Sequence, residues 1–276
     1  MAASFADEKA LRKEFDARVE ADQEPAWLGP KQIKRVTTLD AAAALKLGDS
    51  FAFDPYSATV ALAQAAAKRN AQIFERSEVK KVRFTRKDAT VHAGDATFTT
   101  SRIVVTTGAM TTAYKQLRRH FSHRERYMVL TEPLPATMRK AIGAADFVIE
   151  QARTPPHQFS WASDGRLLVS GGDQNETPAK QSEAVVTQHA GDLMYQLLLM
   201  YPAISGLKLE YGWKMPYARP SDGLPYIGPH RNFPHHLFAV GGSGSSLAGA
   251  FLGARILMRA IRGVPDKGDD LFGWLR

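Results

Sequence analysis

The sequence predicts a mixed α/β fold, and three observations carry that expectation. Segments of helical periodicity alternate with short apolar or alternating segments along the 276 residues. One short segment, Arg102-Ile103-Val104-Val105-Thr106-Thr107-Gly108-Ala109, is a continuous apolar run ending in Thr-Gly, the pattern of a buried parallel strand that opens at its C-terminal end. Near the C-terminus, His236-Leu237-Phe238-Ala239-Val240 leads into Gly241-Gly242-Ser243-Gly244-Ser245-Ser246 and then into a long apolar stretch, 247–263. That order reads as strand, glycine-rich turn and helix.

The remaining elements follow in chain order. Residues 7–21 place Leu11, Phe15 and Val19 four apart among charges, an amphipathic surface helix. Asp40 is expected to cap a short helix over 41–47 that Gly48 stops. Asp54 and Pro55 suit the N-cap and first position of a second helix running to about residue 69, so rich in alanine that close packing against a neighbour is expected. A strand over 71–75 should follow, giving half of a βαβ crossover. Alternating segments at 79–85, 90–93 and 96–100, separated by polar turns, predict a β-meander. Strands are expected at 127–131, 147–151, 158–162 and 167–170, with Asp164-Gly165 as a hairpin turn. A long helix over 179–200 and an extended segment over 204–215 complete the middle of the chain.

Composition narrows the classes. The chain holds no cysteine, which removes disulfides, thiolate chemistry and cysteine metal sites. No stretch reaches the roughly 18 uninterrupted apolar residues of a membrane span, and the first residues lack the basic and apolar regions of a signal peptide. A cytoplasmic protein without a membrane span is the expectation. The net charge of +8 admits anionic ligands or nucleic acid. Its densest run, 118–126, reads as a solvated loop, and no nucleic-acid reading motif accompanies it. His230, His235 and His236 crowd together without helical spacing or an acidic partner and read as loop residues, so no metal site is expected.

Two stretches could carry chemistry. Three glycines within 241–244 let the backbone turn tightly and approach a ligand. The helix that follows presents unpaired N–H groups where its dipole favours negative charge. The same stretch also serves as a strand-to-helix connection packed closely, and it is not a G-x-G-x-x-G fingerprint. Residues 216–229, with four prolines and two glycines, read as a rigid irregular segment that holds Arg219 extended before Pro220. A guanidinium placed there can grip a carboxylate through two parallel hydrogen bonds; alone, it also reads as a surface arginine tied to Asp222.

Together, Phe53-Asp54-Pro55 before an alanine-rich helix, Val104-Val105-Thr106-Thr107-Gly108-Ala109, Ala218-Arg219-Pro220-Ser221-Asp222-Gly223-Leu224-Pro225-Tyr226-Ile227-Gly228, and the glycine loop before the last helix resemble the D-amino-acid oxidase-like FAD-dependent oxidoreductases. The resemblance implies an FAD-binding Rossmann-like domain over 54–109 and 218–276, interleaved with a mixed-sheet substrate domain over 1–53 and 110–217. It implies FAD contacts from Val79, Thr107, Gly108, Ala109, Gly241, Gly242, Ser243, Gly244, Ser245 and Ser246. It places Arg219 on a substrate carboxylate, with Tyr217 and Tyr226 lining the pocket. The implied reaction oxidises an amine or amino acid by hydride transfer to flavin N5, with oxygen or another electron acceptor completing the cycle. The family opens with a strand–G-x-G-x-x-G–helix unit that these residues lack. The FAD-binding domain is therefore expected to be incomplete, from an N-terminally truncated chain or one needing a partner chain that supplies the unit.

Overall fold

The computed structural model describes residues 1–2, 5–48, 53–108, 112–143, 147–153, 155–242 and 247–276. In chain order the elements are α1 (Phe5–Glu20), β1 (Ala26–Leu28), α2 (Pro30–Thr37), β2 (Ala44–Lys46), α3 (Pro55–Ala67), β3 (Val79–Phe84), β4 (Ala89–Ala93), β5 (Ala96–Thr100) and β6 (Ile103–Gly108). A 3-10 segment over Thr112–His120 leads into β7 (Phe121–Thr131), α4 (Ala136–Ile142), β8 (Ile149–Glu150), β9 (Gln158–Trp161), β10 (Leu167–Asn175) and α5 (Ser182–Met200). The chain ends with β11 (Leu209–Pro220), β12 (Tyr226–His230), β13 (Phe233–Val240) and α6 (Leu247–Arg262). This mixed α/β composition is the one the periodicities predict.

The chain forms two compact units, residues 1–66 with 126–215, and 67–125 with 216–276. In the first, Tyr127 and Val129 of β7, Phe159 of β9 and Val169 of β10 are buried with Leu193 and Leu197 of α5, a sheet face covered by a helix stripe. The sheet order is β11-β7-β10-β9-β8. A smaller cluster joins Leu11 of α1 to Ala2 and Ala43, with Trp27 packed against it. The Arg12 guanidinium lies 3.5 Å from the Trp27 ring centroid.

In the second unit, β3, β4 and β5 form the expected antiparallel meander. A separate three-stranded sheet runs β12-β13-β6. There β13 pairs antiparallel with β12 and parallel with β6. The strand alternates between two cores. Leu237 packs with Ile256 and Leu257 of α6. Phe238 and Val240 point into an aromatic layer with Tyr114, Phe121 and Tyr226.

Several local expectations fail for identifiable reasons. Residues 41–47 are not a helix: residues 44–46 pair with 26–28 as β2, and Asp40 instead bonds Lys34 at 2.7 Å. The helical turn lies earlier, at α2, where Pro30 opens the helix. Residues 71–75 form no strand; Ile73 and Phe74 are 55% and 73% exposed, with no strand paired to them among the described residues. The alanine-rich α3 forms where predicted but buries none of its residues. The run 118–126 is no solvated loop, because Phe121, Glu125 and Arg126 are buried in β7. Residues 216–229 are largely strand: β11 reaches Pro220 and β12 begins at Tyr226. β11 is an edge strand, where proline's missing donor is tolerated. His235 and His236 lie within β13, and His230 ends β12, rather than in a loop.

Candidate functional site

The glycines expected to meet a ligand come together at one end of the β12-β13-β6 sheet. The parallel pairing of β13 with β6 sets Val240 opposite Gly108. The chain then turns, and the Gly241 amide donates to the Gly108 carbonyl at 3.3 Å. Both glycines sit at positive φ, 72° and 80°, where a side chain is strained. Their surroundings differ. A Cβ on Gly241 would lie 2.4 Å from Phe121 Cε1 and 2.9 Å from Pro220 Cγ, so packing alone demands glycine there. Among the described residues, a Cβ on Gly108 or on Gly242 would meet nothing within 4 Å. No described residue therefore crowds the bare backbone on either side of one tightly packed turn. Helix α6 starts at Leu247 after this turn, and its first N–H groups lack intrahelical partners. Ala109, Ser243, Gly244, Ser245 and Ser246 lie outside the described residues.

Arg219 is one residue from the Pro220 contact with the Gly241 turn. It is exposed, within the extended end of β11. Asp222 does not hold it: the Arg276 guanidinium donates to that carboxylate at 2.6 and 3.2 Å. This hydrogen bonding keeps the Asp222 carboxyl below its usual pKa. Among the described residues, Arg219 has no ion-pair partner.

Tyr226 is buried rather than open. Its ring stacks on Trp274 at 4.5 Å and carries the Arg276 guanidinium 3.8 Å from its centroid. Arg276 also donates to the Leu224 carbonyl at 2.5 Å. The C-terminal residues thus fasten the 222–226 turn that follows Arg219. Tyr217 is 9% exposed. Val79 opens β3 in the separate meander sheet and is 46% exposed.

Sequence reasoning missed two features. The Arg276–Trp274–Tyr226 stack joins residues some fifty positions apart and has no local signature. In the first unit, Arg126 and Asp173 form a bidentate pair at 2.9 and 3.0 Å. Both are buried, and only the strand pairing brings them together. Among the described residues there is no metal-like cluster of histidines and carboxylates, and no helix long and apolar enough to cross a membrane.

Residues 1–260 match the family model described as DAO, FAD dependent oxidoreductase. The chain belongs to this family. The "Probable oxidoreductase OrdL" of Haemophilus influenzae is 24% identical over 220 residues, which are 77% of this chain and 48% of that protein. The chain thus spans about half the length of this curated relative. Among solved structures, glycine oxidase from Geobacillus kaustophilus superposes with a TM-score of 0.78 at 18% identity, over 99% of this chain and 72% of that one. L-proline dehydrogenase from P. horikoshii gives 0.81 at 18% identity, over 99% and 74%. Likeness at that identity is one of fold.

FAD is the cofactor the family description names. The backbone at Gly108 and Gly242 fits a large ligand lying across the strand ends, since no described side chain would hold it off. The 276 residues contain no G-x-G-x-x-G motif, so the fit concerns the part of FAD reached from these two strand ends and from α6.

Proposed function

We propose that this chain acts within an FAD-dependent oxidoreductase that oxidises the C–N bond of an amine or amino acid. The observation behind this reading is the pair of open glycine backbones, Gly108 and Gly242, flanking the packed Gly241 turn. In this reading the 67–125 and 216–276 unit carries the flavin side and the other unit the substrate side. FAD, when bound, supplies a two-electron acceptor for the hydride leaving the amine-bearing carbon.

This chain's residues do the rest. The exposed Arg219 guanidinium binds the substrate carboxylate through its planar fork. The Arg276 bonds to Asp222 and Leu224 hold the turn beside it, so the guanidinium starts from a fixed backbone. The N–H groups of the first turn of α6 favour negative charge near the glycine turn. The amine nitrogen loses its proton to solvent, and water hydrolyses the resulting imine. Val79, Thr107 and Ala109, with 243–246, extend the cofactor contacts; Tyr217 and Tyr226 act as buried supports beside Arg219.

A second reading is favoured by one observation. β6 has β13 as its neighbour in a three-stranded sheet order that ends with β6, and Val104 on it is 46% exposed. Among the described residues β6 is the last strand of that order, and a strand at the end of a sheet can accept a further one. Flavin would then be held jointly with another polypeptide carrying the dinucleotide-binding unit. The visible absorbance of the purified chain tests both. Stoichiometric flavin on this chain alone supports the first reading, and flavin found only with a second co-purifying polypeptide supports the second. Absence of flavin in both preparations overturns the oxidoreductase reading.

A further inference from the structure

The start of β13, at the other end of the strand from Gly241, frames a separate opening of about 160 Å³. Lys80, Lys81 and Phe84 of β3, Tyr114, and Phe233 and His236 of β13 line it. His236 is 1% exposed, and neither ring nitrogen has a hydrogen-bond partner among the described residues. Such a group carries a desolvation cost of about 1–3 kcal/mol until something bonds to it. Burial, with His235 nearby, pushes its pKa down to about 4. The ring is therefore neutral near pH 7, with one N–H donor and one lone pair.

The walls are aromatic. Phe84, Tyr114 and Phe233 stand edge-on to the imidazole at centroid distances of 5.6, 5.6 and 5.5 Å. The frame is tied together by His235, whose ring nitrogens lie 3.1 Å from the Ser101 carbonyl and 2.8 Å from the Thr85 carbonyl. That holds the end of β3 against β13, and with it Phe84 against His236. Lys80 and Lys81 are exposed at the rim. A single water takes about 30 Å³ of liquid volume, whereas an apolar cavity of about 150 Å³ takes benzene. The opening is thus the size of one six-membered ring.

We infer that this opening is a binding site for a small planar aromatic monoanion. The ring lies among Phe84, Tyr114 and Phe233, a polar ring atom meets His236, and the carboxylate meets Lys80 and Lys81. The site uses none of the glycines or Arg219 and stands whether or not the flavin reading holds.

Nicotinate, benzoate and nicotinamide, titrated into the full 276-residue chain by calorimetry, separate the parts. Nicotinate should bind at least about tenfold more tightly than benzoate, which lacks the ring nitrogen, and than neutral nicotinamide, in line with about 1.4 kcal/mol per decade. His236→Phe should erase the preference over benzoate. The exposed-residue double variant Lys80→Ala/Lys81→Ala should erase the preference over nicotinamide while leaving the fold intact. Arg219→Ala should leave nicotinate binding unchanged. Absence of saturable nicotinate binding to the wild type overturns the inference. So does unchanged binding in His236→Phe, or loss of binding in Arg219→Ala.

Discussion

The Gly241 amide donates to the Gly108 carbonyl at 3.3 Å, closing the end of the two parallel strands β13 and β6. This bond fixes the Gly108 and Gly241 backbones relative to each other. It forms because a glycine at φ 80° leaves room for the Phe121 ring and Pro220.

Gly241→Ala is therefore expected to be costly. The left-handed backbone costs about 1–2 kcal/mol for a residue with a Cβ, and the overlap with Phe121 adds about 1–3 kcal/mol. At about 2–4 °C per kcal/mol for a chain of this size, thermal melting should fall by roughly 4–20 °C. Gly242→Ala, whose Cβ meets nothing within 4 Å, should melt close to the wild type and affect only ligand binding. Equal melting of the two variants would refute the packing argument.

Arg219→Ala in the flavin-loaded protein should raise KM for amino acids by about 10- to 100-fold, the range of about 1.5–3 kcal/mol for a hydrogen bond to a charged group. The change in kcat should be smaller, because a carboxylate anchor acts in both ground and transition states. Arg219→Lys should recover part of the loss, since lysine keeps the charge without the planar fork. An unaltered KM removes the assigned role.

Arg126 and Asp173 are buried and doubly hydrogen-bonded. Removing one partner strands the other charge away from water. Arg126→Leu or Asp173→Leu alone should each destabilise by about 3–5 kcal/mol, measured by urea unfolding, whereas the double variant should recover most of that loss. Additive single losses would show that the pair is not coupled.

Acid should weaken the fold through His236. Its folded pKa of about 4 lies below the unfolded value of 6.5. As pH falls below 6.5 the unfolded chain takes up the proton first, so stability is full above 6.5 and is lost progressively down to about 4. The loss is about 2 kcal/mol by pH 5, at about 1.4 kcal/mol per pKa unit. Burial is the larger cause of the lowered value, and the neighbouring His235 also disfavours a positive charge there; Lys80 and Lys81 line the same opening. His157 and His230, also lowered by burial, contribute a background slope of the same sign. His236→Phe should therefore show a smaller fall in urea midpoint between pH 7 and pH 5 than the wild type; an equal fall would contradict this account.

Much of the architecture was readable because local patterns and tertiary pairing agree. The meander at 79–100, the long helix ending at Met200 and the strand–turn–helix at the C-terminus all carry strong periodicity or turn chemistry. Asp40 misled because a good N-cap residue sits before a segment that pairs as β2 instead. Residues 71–75 misled because an apolar run signals burial only where a partner strand exists. At the site, each of the two strands with a glycine end was legible, but the parallel pairing that sets Gly108 beside Gly241 has no local signature. The Arg276 fastening and the buried His236 have none either, since each depends on residues brought together from distant strands.

Helix α3 has a further consequence. None of its thirteen residues is fully buried against the described residues, so little of the packing that normally secures a helix is present, and a helix of that length is marginal in water by itself. Its amides should trade hydrogen for deuterium within the earliest time points, long before those of α5, whose Leu193 and Leu197 are sealed in the core.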